Sequence, residues 1–233
     1  MKPPQPQNQK SFNVIAIDGP AGAGKSTVAK RLSKMLGFSY LDTGAMYRAL
    51  TLKTLREKVN WEDEDALVAL ANKTKIDIEG DAESLKVLLD GEDVTKEIRS
   101  MEVTNNTFYI ARIARVREIM VKCQRSIAEK RSLVAEGRDI GTVVFPNAKR
   151  KFYLDADLKE RSRRRLLELK QQGKSVDAQR LTKDMQDRDA RDISRLSGPL
   201  KMAEDAIFIE STQMTVDQTV EKMLSYIKGS GNV

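Results

Sequence analysis

The chain has 233 residues, with 41 lysines and arginines against 34 aspartates and glutamates, a net charge of +7, one cysteine and no histidine. The lone Cys123 excludes an intramolecular disulfide framework and a four-cysteine zinc site. The missing histidine excludes Ser-His-Asp and Cys-His catalysis and histidine-ligated metals, so any chemistry must run on carboxylates, cations, backbone amides or a bound cofactor.

The positive balance suits polyanionic partners, from nucleotides to nucleic acid. No apolar run approaches membrane-spanning length, so no membrane partner is expected. The first residues are rich in proline and glutamine and lack the apolar core of a signal peptide. Residues 1–11 read as a disordered tail and residues 12–230 as a single domain. A cytoplasmic location is expected, because one free cysteine fits a reducing compartment.

Residues 14–17 form a short apolar run, hence a buried strand. The run ends in Gly19, Pro20, Ala21, Gly22, Ala23, Gly24, Lys25, Ser26 and Thr27, which fit the spacing G-x-x-x-x-G-K-[ST] of a phosphate-binding loop. Glycines let backbone N–H groups converge on an anion, and the following helix aims its positive end at the same point. Lys25 can reach the outer phosphates, and Ser26 can hold a magnesium ion. Val28, Ala29, Leu32, Met35 and Leu36 should line the buried face of that helix, which Gly37 stops.

Residues 38–41 read as a second strand, and Asp42, Thr43 and Gly44 turn the chain into another helix. There Thr43 is a candidate N-cap, and Arg48 follows one turn on. Residues 61–100 break this alternation with a short helix, two small strands at 76–79 and 85–89, and the hairpin dipeptide Asp90-Gly91, and so read as an insert. Helical pattern resumes over residues 101–129.

A strand at 133–136 leads into Glu136, Gly137, Arg138 and Asp139, where Glu136 can hold a metal-bound water and Arg138 can fork a phosphate. Strands follow at 151–154 and 206–209. Between them lies a broken helical pair rich in arginine, with Arg161, Arg163, Arg164 and Arg165 on the first helix and Arg188, Arg191, Asp192 and Arg195 on one face of the second. Arginine rather than lysine suits bidentate phosphate binding. Thr215 and Gln218 form a capping box for the closing helix. The fold class is α/β, a five-stranded parallel sheet with helices on both faces. Its ligand edge is formed by the strands' carboxyl ends.

Together these stretches resemble the bacterial cytidylate kinases, in the nucleoside monophosphate kinase family of phosphate-loop proteins. The resemblance runs through Asp18-Gly19-Pro20, the run Asp42-Thr43-Gly44-Ala45-Met46-Tyr47-Arg48, Leu89-Asp90-Gly91, Val116-Arg117-Glu118, the run Gly137-Arg138-Asp139-Ile140-Gly141-Thr142, and Arg188-Asp189. It implies Mg2+-dependent transfer of the γ-phosphoryl of ATP to CMP or dCMP by a monomer that uses no nucleic acid. It also implies a monophosphate-binding region over about 43–110 and a helical lid over about 159–195.

By the same resemblance, residues 19–27 would hold ATP. Thr43 and Arg117 with Asp139 would face the cytosine and its surroundings, and Tyr47 would belong to the same CMP site. Arg48, Arg138 and Arg195 would grip the acceptor phosphate, and Asp192, supported by Arg188, would take a sugar hydroxyl. Lys25, Arg161, Arg164, Arg188 and Arg191 would be the catalytic cations. Ser26 and, through water, Glu136 would serve the metal. Two positions depart from the family pattern: Phe108 stands where a sugar-binding serine is usual, and Glu136 stands where aspartate is common.

Other readings leave fewer residues explained. A regulatory GTPase needs Asn-Lys-x-Asp, and Asn72-Lys73-Thr74-Lys75 lacks the aspartate. A nucleic-acid binder would not interleave its basic residues with acids in this way. Another small-molecule kinase of the phosphate-loop class is the nearest alternative.

Overall fold

The computed structural model describes residues 13–229 except residues 172 and 174. The expected tail lies outside these residues, as do Gln172 and Lys174 in the break of the arginine-rich pair. The main sheet runs β1 (Val14–Asp18), β2 (Ser39–Asp42), β6 (Leu133–Gly137), β7 (Arg150–Asp155) and β8 (Ile207–Glu210). Its spatial order is β2-β6-β1-β7-β8 and every pairing is parallel. All five expected strands are present.

Helix α1 (Lys25–Leu36) returns the chain from β1, and Gly37 ends it in the left-handed region, with φ 66°. Helix α8 (Val216–Lys228) packs beside α1 and carries the expected capping box. On α1 the expected apolar face is narrower than read: Val28, Ala29 and Leu32 are buried, but Met35 is 57% exposed at the rim of the cleft. Helix α2 (Thr43–Arg56) buries Ala45, Met46, Ala49 and Leu50 almost completely. Burial of each large side chain such as Ile17, Leu41 or Leu50 contributes on the order of 2 kcal/mol.

The insert holds α3 (Glu64–Lys73) and an antiparallel sheet, β3 (Ile76–Glu79), β4 (Lys86–Leu89) and β5 (Glu92–Asp93). The expected 101–129 helical stretch is two helices, α4 (Met101–Ala111) and α5 (Ala114–Ala128). Helices α6 (Leu158–Gln171) and α7 (Ala178–Ser194) form an antiparallel pair with a small apolar cluster of their own, Leu169, Leu181 and Met185. Ala21 of the phosphate loop completes that cluster, so the pair is seated on the loop.

Candidate active site

The carboxyl ends of β1, β2 and β6 open into one cleft of about 1870 Å³, well beyond the roughly 300–1,000 Å³ of a single-ligand pocket. One wall is the glycine-rich loop. Gly19 has φ +148°, and a Cβ there would lie 2.0 Å from the Leu154 carbonyl oxygen, so only glycine lets the chain pass under β7. Gly24 precedes α1 with φ 90° and no side chain caps the helix, which leaves its first N–H groups facing the cleft.

Lys25 is 5% exposed and donates from Nζ to the Pro20 carbonyl at 2.7 Å. Burial, with Arg138 and Arg188 nearby, pushes its ammonium down to about 7. A buried cation at that cost is one that a bound anion would restore. Ala21, Gly22, Ala23, Ser26 and Thr27 line the cleft. Gly19 and Pro20 are buried at the start of the same loop, behind its lining residues.

Arg161 sits behind the loop rather than among the residues that line the cleft. Its Nε donates to the Ala156 carbonyl and its Nη1 to the Ala21 carbonyl and the Asp189 carboxylate. Asp189 in turn accepts the Ala21 N–H at 3.1 Å. This buried pair ties α6 and α7 to the back of the loop. Arg164 does line the cleft beside Gly24. Its donors go to Glu160, to Ser211 and, weakly at 3.4 Å, to the Ala23 carbonyl.

The opposite wall is built from side chains. Asp42, rather than Thr43, caps α2: its Oδ1 accepts the Ala45 N–H at 2.8 Å and its Oδ2 pairs with Arg48 at 2.8 Å. Burial alone would raise the Asp42 carboxyl, but Arg48 and the Ala45 N–H outweigh it and hold it low. Thr43 donates to the Glu136 carbonyl at 2.7 Å, pinning β2 to β6. Arg138 pairs with Asp192 at 2.8 Å. Despite its burial, Asp192 is held below the usual carboxylate range by Arg138, Arg188 and Arg195.

Arg188 has no hydrogen-bonded partner among the described residues. Burial and the neighbouring Arg138 depress it to about 10. Arg191 has no carboxylate either: it donates to the Asp187 carbonyl, and its guanidinium sits 5.3 Å from the centre of the Phe108 ring. The sequence-expected arginines therefore split. Arg48, Arg138 and Arg161 are held in place by aspartates, whereas Arg188 and Arg191 pair with no carboxylate among the described residues.

Deeper in the cleft Arg117 pairs with Asp139, both almost wholly buried. Burial raises the Asp139 carboxyl although Arg117 and Arg195 pull it down. Arg117 lies over the Tyr47 ring at 5.5 Å. The Tyr47 hydroxyl and the Nε atoms of Arg117 and Arg195 are buried and have no hydrogen-bond partner among the described residues. Such groups are costly unless a ligand satisfies them. Arg195 also donates to the Gly198 carbonyl.

Gly198 closes this box. A Cβ there would lie 2.2 Å from Arg117 Nη2 and 2.4 Å from Asp139 Oδ2. The sequence offered only a weak sign of this role, a glycine before Pro199 beyond the last arginine. Asp18, Asp42 and Asp189 stand in recognisable sequence motifs, but their partners, the Ile140 and Gly141 amides, Arg48 and Arg161, come from the fold.

A metal fits one corner. Glu136 is buried and accepts from the Tyr40 hydroxyl at 2.8 Å. Burial and the nearby Asp42 raise its carboxyl, while Lys25 and Ser26 oppose the rise. Crowded carboxylates beside an exposed hydroxyl suit a hard cation. No group of three or more protein ligands stands ready among the described residues, so such a cation would need phosphate oxygens and water to complete its shell.

A strand, glycine loop and helix facing an arginine-rich wall across the carboxyl edge of a parallel sheet define a kinase of the phosphate-loop class. A solved structure from Thermus thermophilus shares this fold at TM-score 0.50 and 17% identity, over 96% of this chain and all of that one. The family model for cytidylate kinase matches residues 15–229. Cytidylate kinases of Desulforamulus reducens and Caldanaerobacter subterraneus are 52% and 50% identical to this chain. Each alignment covers 92% of this chain, and 96% and 94% of those proteins respectively. The chain belongs to the cytidylate kinase family.

Proposed function

We propose that the chain transfers the γ-phosphoryl of ATP to CMP or dCMP, giving ADP and CDP or dCDP. The observation that carries this reading is the buried Arg117–Asp139 pair with the orphaned Tyr47 hydroxyl and Arg117 and Arg195 Nε atoms, facing the phosphate loop across one cleft. Cytosine presents an amino donor beside acceptor atoms. Asp139 would accept from the amino group and Arg117 would donate to the ring acceptors. Uracil reverses both at that edge.

The acceptor phosphate would lie among Arg48, Arg138 and Arg195, with the unpaired Arg188 beside them. Its second pKa is near 6, so at neutral pH it is already the nucleophile and needs no histidine. Catalysis is then positioning plus neutralisation of charge by Lys25, Arg188 and Arg191. Arg161 and Asp189 would act from behind by fixing the loop. Ser26 and, through water, Glu136 would hold Mg2+, which on binding would neutralise charge on the phosphates. Residues of about 43–110 would form the monophosphate-binding region. The α6–α7 pair would be the lid, and its seat on Ala21 supports a closure coupled to the donor loop. We expect a cytoplasmic monomer.

An ADP-release assay with CMP, dCMP, UMP, AMP and GMP as acceptors tests this. CMP and dCMP should exceed UMP in kcat/KM by about 100-fold or more. AMP or UMP preferred over CMP would overturn the assignment.

A further inference from the structure

Asp18 is the last residue of β1, and its backbone continues directly into the phosphate loop. Its side chain faces the other way. Oδ1 accepts the Ile140 N–H at 2.8 Å and Oδ2 accepts the Gly141 N–H at 2.7 Å. These two amides belong to the turn that leaves β6 through Arg138 and Asp139. They have no other acceptor among the described residues. The turn then closes on itself, with the Val143 and Val144 N–H groups donating to the Asp139 carbonyl. Arg125 holds its far side through the Val143 and Val144 carbonyls. Asp18 therefore stands at the fork where β1 and β6, paired as far as Asp18 and Gly137, separate into the two walls of the cleft.

A carboxylate is an expensive choice here. Asp18 is 4% exposed, forms no ion pair among the described residues, and is pushed up to about 6 chiefly by burial. Two convergent N–H donors nonetheless require two acceptor oxygens on one short side chain. Asparagine would turn an amide N–H₂ toward one of those donors.

We propose that Asp18 is a positioning residue that fixes the acceptor wall to the donor loop, setting where Arg138 and Asp139 stand relative to Lys25 without touching either nucleotide. The inference rests on Arg138 and Asp139 belonging to the acceptor site.

The test is Asp18→Asn, with Asp139→Asn alongside it. Asp18→Asn should raise KM for CMP about tenfold and lower the CMP-to-UMP preference by a similar factor, with KM for ATP within about twofold. A lowered melting temperature with both KM values and the base preference unchanged would mean a purely structural role and would overturn the proposal. If Asp139→Asn leaves CMP binding and base preference intact, it is the assignment of the acceptor site that fails. Amide hydrogen exchange of the unmutated chain gives an independent check. Ile140 and Gly141 should exchange slowly without nucleotide, and exchange at open-loop rates would refute the clasp.

Discussion

The two walls of the cleft are made of different materials. The wall proposed for the donor is one unbroken stretch, Gly19 to Thr27, which would bind mainly through backbone amides and one lysine. The acceptor wall draws side chains from β2, α2, α5, the turn after β6, and α7. Most of these are locked in advance by Asp42–Arg48, Arg138–Asp192 and Arg117–Asp139 pairs. A backbone site needs only a local conformation, whereas a side-chain site needs the whole fold to bring its parts together. On the proposed assignment the first kind would grip any polyphosphate, and discrimination between bases would fall to the second.

This division can be broken by substitution. The largest effect is expected for Lys25→Ala, with kcat down about 1,000-fold and KM for CMP nearly unchanged. A matching rise in KM for CMP would show that the walls do not act separately. Next is Gly198→Ala, whose new methyl group would push into the Arg117–Asp139 pair. It should cut kcat/KM for CMP about 100-fold while sparing ATP binding, as measured by steady-state titration of each substrate.

A pH experiment sharpens the donor side. The free Lys25 ammonium sits near 7, so at pH 8 it is mostly neutral. Bound phosphates favour the charged form, so ATP binding should take up a proton at that pH. Calorimetry at pH 8 in buffers of different ionisation enthalpy would read this uptake, and Lys25→Met should abolish it. The smallest effect is expected for Arg163→Ala. Its side chain is 60% exposed and pairs, among the described residues, with Glu160 alone, so turnover should stay within about twofold and the melting temperature should hardly move.

The same division decides what could be read before the fold was in hand. The loop was legible because its chemistry is contiguous, and the five strands because each is a short apolar run. The runs through Thr43 and Asp139 were legible by family resemblance, and both do reach the cleft. The arginines were harder. A helix places Arg161 and Arg164 one turn apart on the same side, yet one faces Ala156 and Asp189 while the other faces Ser211 and the cleft. Which arginines are held in place depends on aspartates from other elements, and spacing along one helix carries no trace of that. Asp18 and Gly198 were illegible for the same reason: their partners are 122 residues away, at Ile140, and 81 and 59 residues away, at Arg117 and Asp139.

The order β2-β6-β1-β7-β8 also sets a timetable for synthesis. β1 lies at the centre of the sheet, and its partners begin at Leu133 and Arg150. When the ribosome has made the nucleotide loop, neither neighbour of the strand that carries it exists. More than half of the chain must emerge before β1 can be flanked on even one side, and the loop acquires its shape only then. Contacts of such long range slow folding and leave apolar strands uncovered in the meantime. Nascent chains that stop short of β6 should therefore expose Ile15, Ala16 and Ile17 and hold no nucleotide, whereas release just beyond β7 should allow the loop to close.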